Sequence, residues 1–304
     1  MNWFLLALLA PLAWSVANYL DKFLLSNSQG EGEGGSGGLL ILSSLVSLIA
    51  AGCIFLKQGA LGITLDSQSV GVLILSGMFE ALYILFYFWA LEAESTATVI
   101  SLFQFAPIMG LLFGYLMLSE SPTGMQFLAV LVILVGTLLI IKKKGERLSF
   151  NGHVLLLMIV ATTFVGIYNT LFKIVGEHIP FWTAMFWQYL GIGMVGFLLF
   201  FGVAPYRKQA IDMLTKKSLN SLGLTGLAEV MNIVALMATN AAILLAPVAL
   251  VLSISSIQPV FVLIEAYIIT VFFPKFLDPC DKPVFMLQYV LGILLVCVGG
   301  FLIY

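Results

Sequence analysis

Apolar runs of about twenty residues recur along the whole of this chain, and few architectures can accommodate them. They cover roughly residues 3–24, 38–56, 70–91, 97–118, 124–142, 153–174, 181–203, 219–243, 247–273 and 285–304. A backbone amide in hydrocarbon finds no water, so each run must satisfy its own hydrogen bonds and is expected to be helical rather than part of an open sheet. Composition agrees: over 304 residues, 61% are hydrophobic and 9% charged, with a mean hydropathy of +1.11. A soluble domain carries about a quarter charged residues. The expected fold is an all-α integral membrane protein of about ten transmembrane helices, with the lipid bilayer as its main partner and little room for an appended soluble domain. The N-terminal MNWFLLALLAPLAWS lacks the basic start of a signal peptide and reads as a retained first helix.

Several function classes drop out. A net charge of −2 with no basic tail excludes nucleic acid as a partner. Cys53, Cys280 and Cys297 have no CxxC spacing, and His153 and His178 stand alone, so neither a disulfide framework nor a metal site is expected. Gly30, Gly32 and Gly35 match GxGxxG, but they lie in a Gly/Glu/Ser stretch with no strand before them and read as a linker. No P-loop and no nucleophile–base set is present, so no cofactor, no ATPase of the chain's own and no enzyme activity is expected.

The runs also repeat. Asn18 precedes Lys22 by four residues in the first span, as Asn169 precedes Lys173 in the sixth. Glu80 follows Gly77 by three residues in the third span, as Glu229 follows Gly226 in the eighth. Pro107 in FQFAP of the fourth span matches Pro259 in SSIQP of the ninth. Ala129 and Gly136 of the fifth span match Gly292 and Gly299 of the tenth, seven residues apart in each case. Two halves follow, 1–148 and 149–304, together one transmembrane domain. Five spans per half is an odd number, so the second half is expected to be inverted in the membrane, the arrangement that places a transport site between halves.

The segment ALEAESTATVISLFQFAPIMGLLFGYLMLSE, followed by a helix ending VGTLLIIKK, resembles the core of EamA-type members of the drug/metabolite transporter superfamily. The second half echoes it in APVALVLSISSIQPVFVLIEAYIITVFF and LGILLVCVGGFLIY, with Phe272 or Phe273 where the first half has Glu120 at the helix end. Glu120 is accordingly read as a boundary residue. The resemblance implies ten helices in two repeats and transport, often export, of a small metabolite, amino acid, amine or drug.

Ionisable groups at membrane depth are costly and therefore functional candidates. Glu80 with Tyr83 and Tyr87 occupies one face of the third span, and Glu229 with Asn232 does the same in the eighth. The pair is expected to face a shared cavity, where it binds a cationic group of a small-molecule substrate or takes up protons to couple transport. Asn18 and Asn169, with Trp14 and Tyr168, would supply hydrogen bonds and an aromatic wall, and Gln104 and Gln258 lie beside prolines that free a backbone carbonyl. Each has a structural alternative: amides commonly bond across membrane helices, and a proline kink is a packing device. Glu265 has no counterpart in the first half and reads as a helix–helix contact, Lys22 and Lys173 as snorkelling residues, and Trp182, Trp187 and Tyr189 as interface anchors, with Trp187 and Gln188 within reach of the cavity. Two other classes compete with transport. A lipid-handling membrane enzyme requires polar groups converging at one interface, and a non-transporting subunit requires a dry core with both glutamates paired.

Eleven of the 13 basic residues flank loops that follow odd-numbered spans; only Lys57 and Lys173 flank even ones. The positive-inside rule then puts the odd loops in the cytoplasm and both termini outside a cell (inner) membrane. The family resemblance implies cytoplasmic termini instead, and the charge count is the reading followed for this sequence.

Overall fold

The computed structural model of the chain describes residues 3–26, 35–120, 123–141, 151–215, 219–272 and 287–303. Every regular element among them is helical. The first half contains α1 (Trp3–Ser26), α2 (Ser36–Gly62), α3 (Ser67–Ala93), α4 (Thr96–Leu102), α5 (Ala106–Leu118) and α6 (Gly124–Ile141). The second contains α7 (Gly152–Gly176), α8 (Phe181–Gly202), α9 (Ala204–Thr215), α10 (Leu219–Ile243), α11 (Val248–Ile254), α12 (Gln258–Phe272) and α13 (Leu287–Ile303). Eight helical segments among the described residues are long and apolar enough to cross a membrane, with Thr98–Leu118 and Val248–Phe272 each counted as one. Leu5, Leu56, Leu116, Phe197 and Phe272 are among the large apolar side chains left on the outer surface, as a bilayer-facing exterior requires.

Both prolines sit where a span is broken. Between α4 and α5 the chain takes a 3-10 turn at Phe103–Phe105, and between α11 and α12 another at Ser255–Ile257. Pro107 and Pro259 fall in the first turn of the following helix, where a missing N–H costs nothing because that group has no intrahelical acceptor.

Small residues set the helix crossings. A β-carbon on Gly77 of α3 would lie 1.9 Å from the Gln188 carbonyl oxygen of α8, and one on Gly191 would lie 2.2 Å from the Ile74 carbonyl oxygen. Those two backbones therefore touch directly, the close approach that glycine permits in membrane bundles. Gly136 of α6 abuts Gly292 of α13, and Gly299 abuts Ala129, so the two helices run antiparallel through the matched small residues. Helices α2 and α8 also run antiparallel: Ser44 meets Gly196, Leu48 meets Gly193, and Thr183 donates to the Gly62 carbonyl. The other main pairings are α1 with α10 and α3 with α7.

Two stretches between the expected spans are helical. The polar 204–215 stretch, between the spans expected at 181–203 and 219–243, forms α9, because Tyr206, Ala210 and Met213 recur at helical spacing and turn one face onto α2. Gln209 on that helix accepts from the Gly38 amide at 3.0 Å. The stretch after the second span also stays helical to Gly62, with Gly59 at φ 71° absorbing a bend that a side chain would resist. Asp66 then caps α3, accepting from the Ser69 amide at 3.0 Å, and hydrogen bonding from Ser69 holds its carboxyl below the ordinary value.

Candidate functional site

A cavity of about 40 Å³ lies between α1, α3 and α10. Helix α1 contributes Trp14, Asn18 and Asp21, which share a face at intervals of four and three residues. Helix α3 contributes Glu80, Tyr83 and Tyr87 on the stripe that their spacing predicts, and α10 contributes Asn232. Trp14 packs with Ala10 and Ala13 against Ala235 and Ala238, small residues that let α1 and α10 approach closely.

The polar groups around the cavity are tied to particular neighbours. Gln188 of α8 donates to Glu80 Oε2 at 3.0 Å, and its own Oε1 accepts from Asn240 of α10 at 2.6 Å. Ser76, one turn before Glu80, donates to the Tyr168 carbonyl at 2.8 Å. Tyr87 donates to Asn18 Oδ1 at 2.8 Å. Glu229, buried on α10, accepts from Ser43 of α2 and interacts with Asn232, which reaches the cavity. Two buried polar atoms on the cavity wall have no hydrogen-bond partner: Asn18 Nδ2 and Asp21 Oδ1.

Of the residues singled out from the sequence, Trp14, Asn18, Glu80, Tyr83 and Asn232 come together on this wall. Glu229 adjoins it through Asn232. Tyr168 stands behind it, stacked on the Tyr83 ring at 6.0 Å. Asn169, Gln104 and Gln258 are buried but do not line it. Asn169 donates back to the Val165 carbonyl and Gln104 to the Ile100 carbonyl, each one turn earlier on the chain, while Gln258 Oε1 is buried without a partner. Glu265 accepts from Ser15 at 2.7 Å, a contact between α12 and α1.

The lysines do not snorkel. Lys22 is buried and donates to the Leu91 and Glu94 carbonyls at 2.8 and 2.9 Å, at the C-terminal end of α3. Lys173 is buried and donates to the Ala246 carbonyl just beyond α10, with Glu120 at 3.3 Å and Glu177 at 3.6 Å. A cation at a helix C-terminus meets carbonyls left without intrahelical donors, which favours this place over the interface. Tyr189 is likewise buried rather than an interface anchor, and Trp187 donates to the Ile63 carbonyl, leaving Gln188 as the member of that group that reaches Glu80.

Asp21 is the wall residue that sequence reasoning missed. The rule that an ionisable residue within a span is a functional candidate applies to it directly. Its position in the second half is occupied by Phe172, so a search for matched pairs passes over it.

Among the described residues, no group of three or more His, Cys, Asp or Glu side chains is arranged to hold a metal ion. The arrangement is instead that of a multi-pass membrane protein with a small polar chamber enclosed by aromatic rings and buried carboxylates. Residues 1–142, just under half of the chain, match the EamA-like transporter family, in line with the resemblance carried by the motifs. Similar curated proteins are the pseudopaline exporters CntI of Pseudomonas aeruginosa strains UCBPP-PA14 and PAO1, each 28% identical over 138 residues. That alignment covers 45% of this chain and 45% of each exporter, so the match spans less than half of the relatives' length. A solved crystal structure at 15% identity superposes on 99% of this chain and 95% of its own with a TM-score of 0.60, which shows a shared fold.

Proposed function

We propose that this protein is a secondary transporter, working as an exporter, that moves a small organic solute through a ten-helix bundle by alternating access between two inverted halves, 1–148 and 149–304. The observation that carries the reading is the polar cavity enclosed by both halves: Trp14, Asn18, Glu80 and Tyr83 from the first, Asn232 from the second. A non-transporting bundle has no need of unpartnered polar atoms at its centre, since each costs roughly 1–3 kcal/mol. The family match and the similarity to pseudopaline exporters support transport and its outward direction.

The inverted repeat is supported by the packing. Exchanging the halves turns the α1–α10 pair into the α7–α3 pair and maps α6–α13 and α2–α8 onto themselves, the four most extensive pairings of the bundle, while the α3–α8 crossing has only a slight counterpart between α10 and α2. Lys22 at the end of α3 and Lys173 beyond the end of α10 are equivalent under the same exchange. In this mechanism Glu80 and Glu229 bind the substrate or take up the protons that drive it, with Tyr168 backing the wall; Asn169, Gln104 and Gln258 line the pathway in another conformation of the cycle. The substrate class is a metabolite, amino acid, amine or drug.

Proteoliposomes loaded with a panel of amino acids, amines and drugs test the reading directly. Saturable, protein-dependent efflux of at least one solute is expected; folded protein that moves none of them would sink it. For orientation, the basic loops after odd-numbered spans are proposed to be cytoplasmic. A cysteine engineered within 142–152, in a background without native cysteines, is expected to resist a membrane-impermeant maleimide applied to intact cells. Labelling from outside reverses the assignment.

A further inference from the structure

The cavity described above is too small for a whole organic solute. Its volume of about 40 Å³ is room for a few waters at most, since roughly 10–15 Å³ of cavity admits one. Its wall is also chemically lopsided. Asp21 and Glu80 both line it, and no lysine or arginine is among the lining residues. The lysine next to Asp21 in sequence is committed to the carbonyls at the end of α3. Asp21 is only 2% exposed and its Oδ1 has no partner.

Four aromatic side chains, Trp14, Tyr83, Tyr87 and Phe88, also line it, beside Ile84, Leu236 and the amides of Asn18 and Asn232. Ring faces carry negative quadrupole charge and attract a cation over them. Asn18 adds a further acceptor, because its amide can be turned so that Nδ2 donates to the Tyr87 oxygen and Oδ1 looks into the cavity. Acceptors, rings and volume together match one kind of occupant, a compact cationic group with several N–H donors.

We infer that this cavity is a binding site for a primary ammonium group, with Asp21 as its charge partner and Asn18 and Glu80 as further acceptors. Quaternary ammonium groups, whose four carbon substituents leave no N–H to donate, are excluded by size and by chemistry. A bare alkali ion, which forms no hydrogen bonds, gains less from the arrangement. That the ammonium is the head of a transported amine rests on the transport reading; binding of the group itself does not.

The test measures binding, not transport. The thermal midpoint of the full-length protein in detergent is followed at fixed pH and ionic strength while tetramethylammonium chloride is replaced by ammonium, methylammonium or sodium chloride. Ammonium and methylammonium are expected to raise the midpoint saturably, with sodium matching the tetramethylammonium baseline. Asp21→Asn is expected to raise the half-saturating ammonium concentration by about tenfold or more, while Asp21→Glu keeps most of the response. Should Asp21→Asn fail to fold, Asn18→Leu provides the second reading, with a severalfold weaker response expected. Equal midpoints in all four salts, an equal response to sodium, or an undiminished ammonium response in the variants overturns the inference. A negative result here, alongside active efflux of other solutes, leaves the transport reading standing.

Discussion

Gly77→Ala is expected to leave little folded protein, whereas Gly226→Ala, at the matching place in the second half, is expected to be tolerated. The β-carbon added at position 77 would sit 1.9 Å from a backbone carbonyl oxygen of α8, so the backbones themselves must separate. Overpacking of a tight crossing costs roughly 1–3 kcal/mol and more where no side chain can yield. The same carbonyl belongs to Gln188, whose side chain donates to Glu80, so displacement of α8 also disturbs the polar chamber. Gly226 has no atom within 4 Å of such a β-carbon. Alanine there gains up to about 1 kcal/mol of helix propensity. Yield of monodisperse protein and the thermal midpoint of each variant are the measurements, and equal behaviour of the two would refute the direct α3–α8 contact.

Glu80→Gln is expected to fold like the parent and to lose transport by about tenfold or more, a loss of about 1.4 kcal/mol or greater. Glutamine has nearly the same shape, and its carbonyl oxygen can accept the Gln188 hydrogen bond that Glu80 Oε2 accepts at 3.0 Å. Packing and the hydrogen bond are thus preserved while the ionisable group is removed. A residue that served only to join α3 to α8 would survive this exchange. Efflux from proteoliposomes at parental rates would therefore place Glu80 outside the mechanism, and loss of efflux with an unchanged thermal midpoint assigns it a role beyond cohesion.

The helical architecture was legible because hydrocarbon allows the backbone so few options that long apolar runs reveal their own conformation. Helix α9 was not, since its apolar positions occupy one face only and its overall polarity is that of a loop. The matched prolines guided the reading well, because both halves share a packing problem at the breaks before Pro107 and Pro259. Matched residues misled where the two halves differ. Asn18 faces the cavity while Asn169 bonds back to its own helix, and Gly77 holds a crossing that Gly226 does not. Asp21 has no counterpart that symmetry could point to, because the second half has Phe172 at that place. Which side chains meet is decided by helix rotation and crossing, quantities that no single run encodes.

The buried lysines have a mechanical consequence. Each pins the first helix of its half to the region where the third one ends: Lys22 holds α1 to the close of α3, and Lys173 holds α7 to the Ala246 carbonyl after α10. Such clamps tie the first and third spans of each half together at one end. The yielding points are then the two short 3-10 turns at Phe103–Phe105 and Ser255–Ile257, where the α-helical ladder is already interrupted and bending breaks the fewest hydrogen bonds. The bundle is therefore built like a pair of braced frames with one elbow in each.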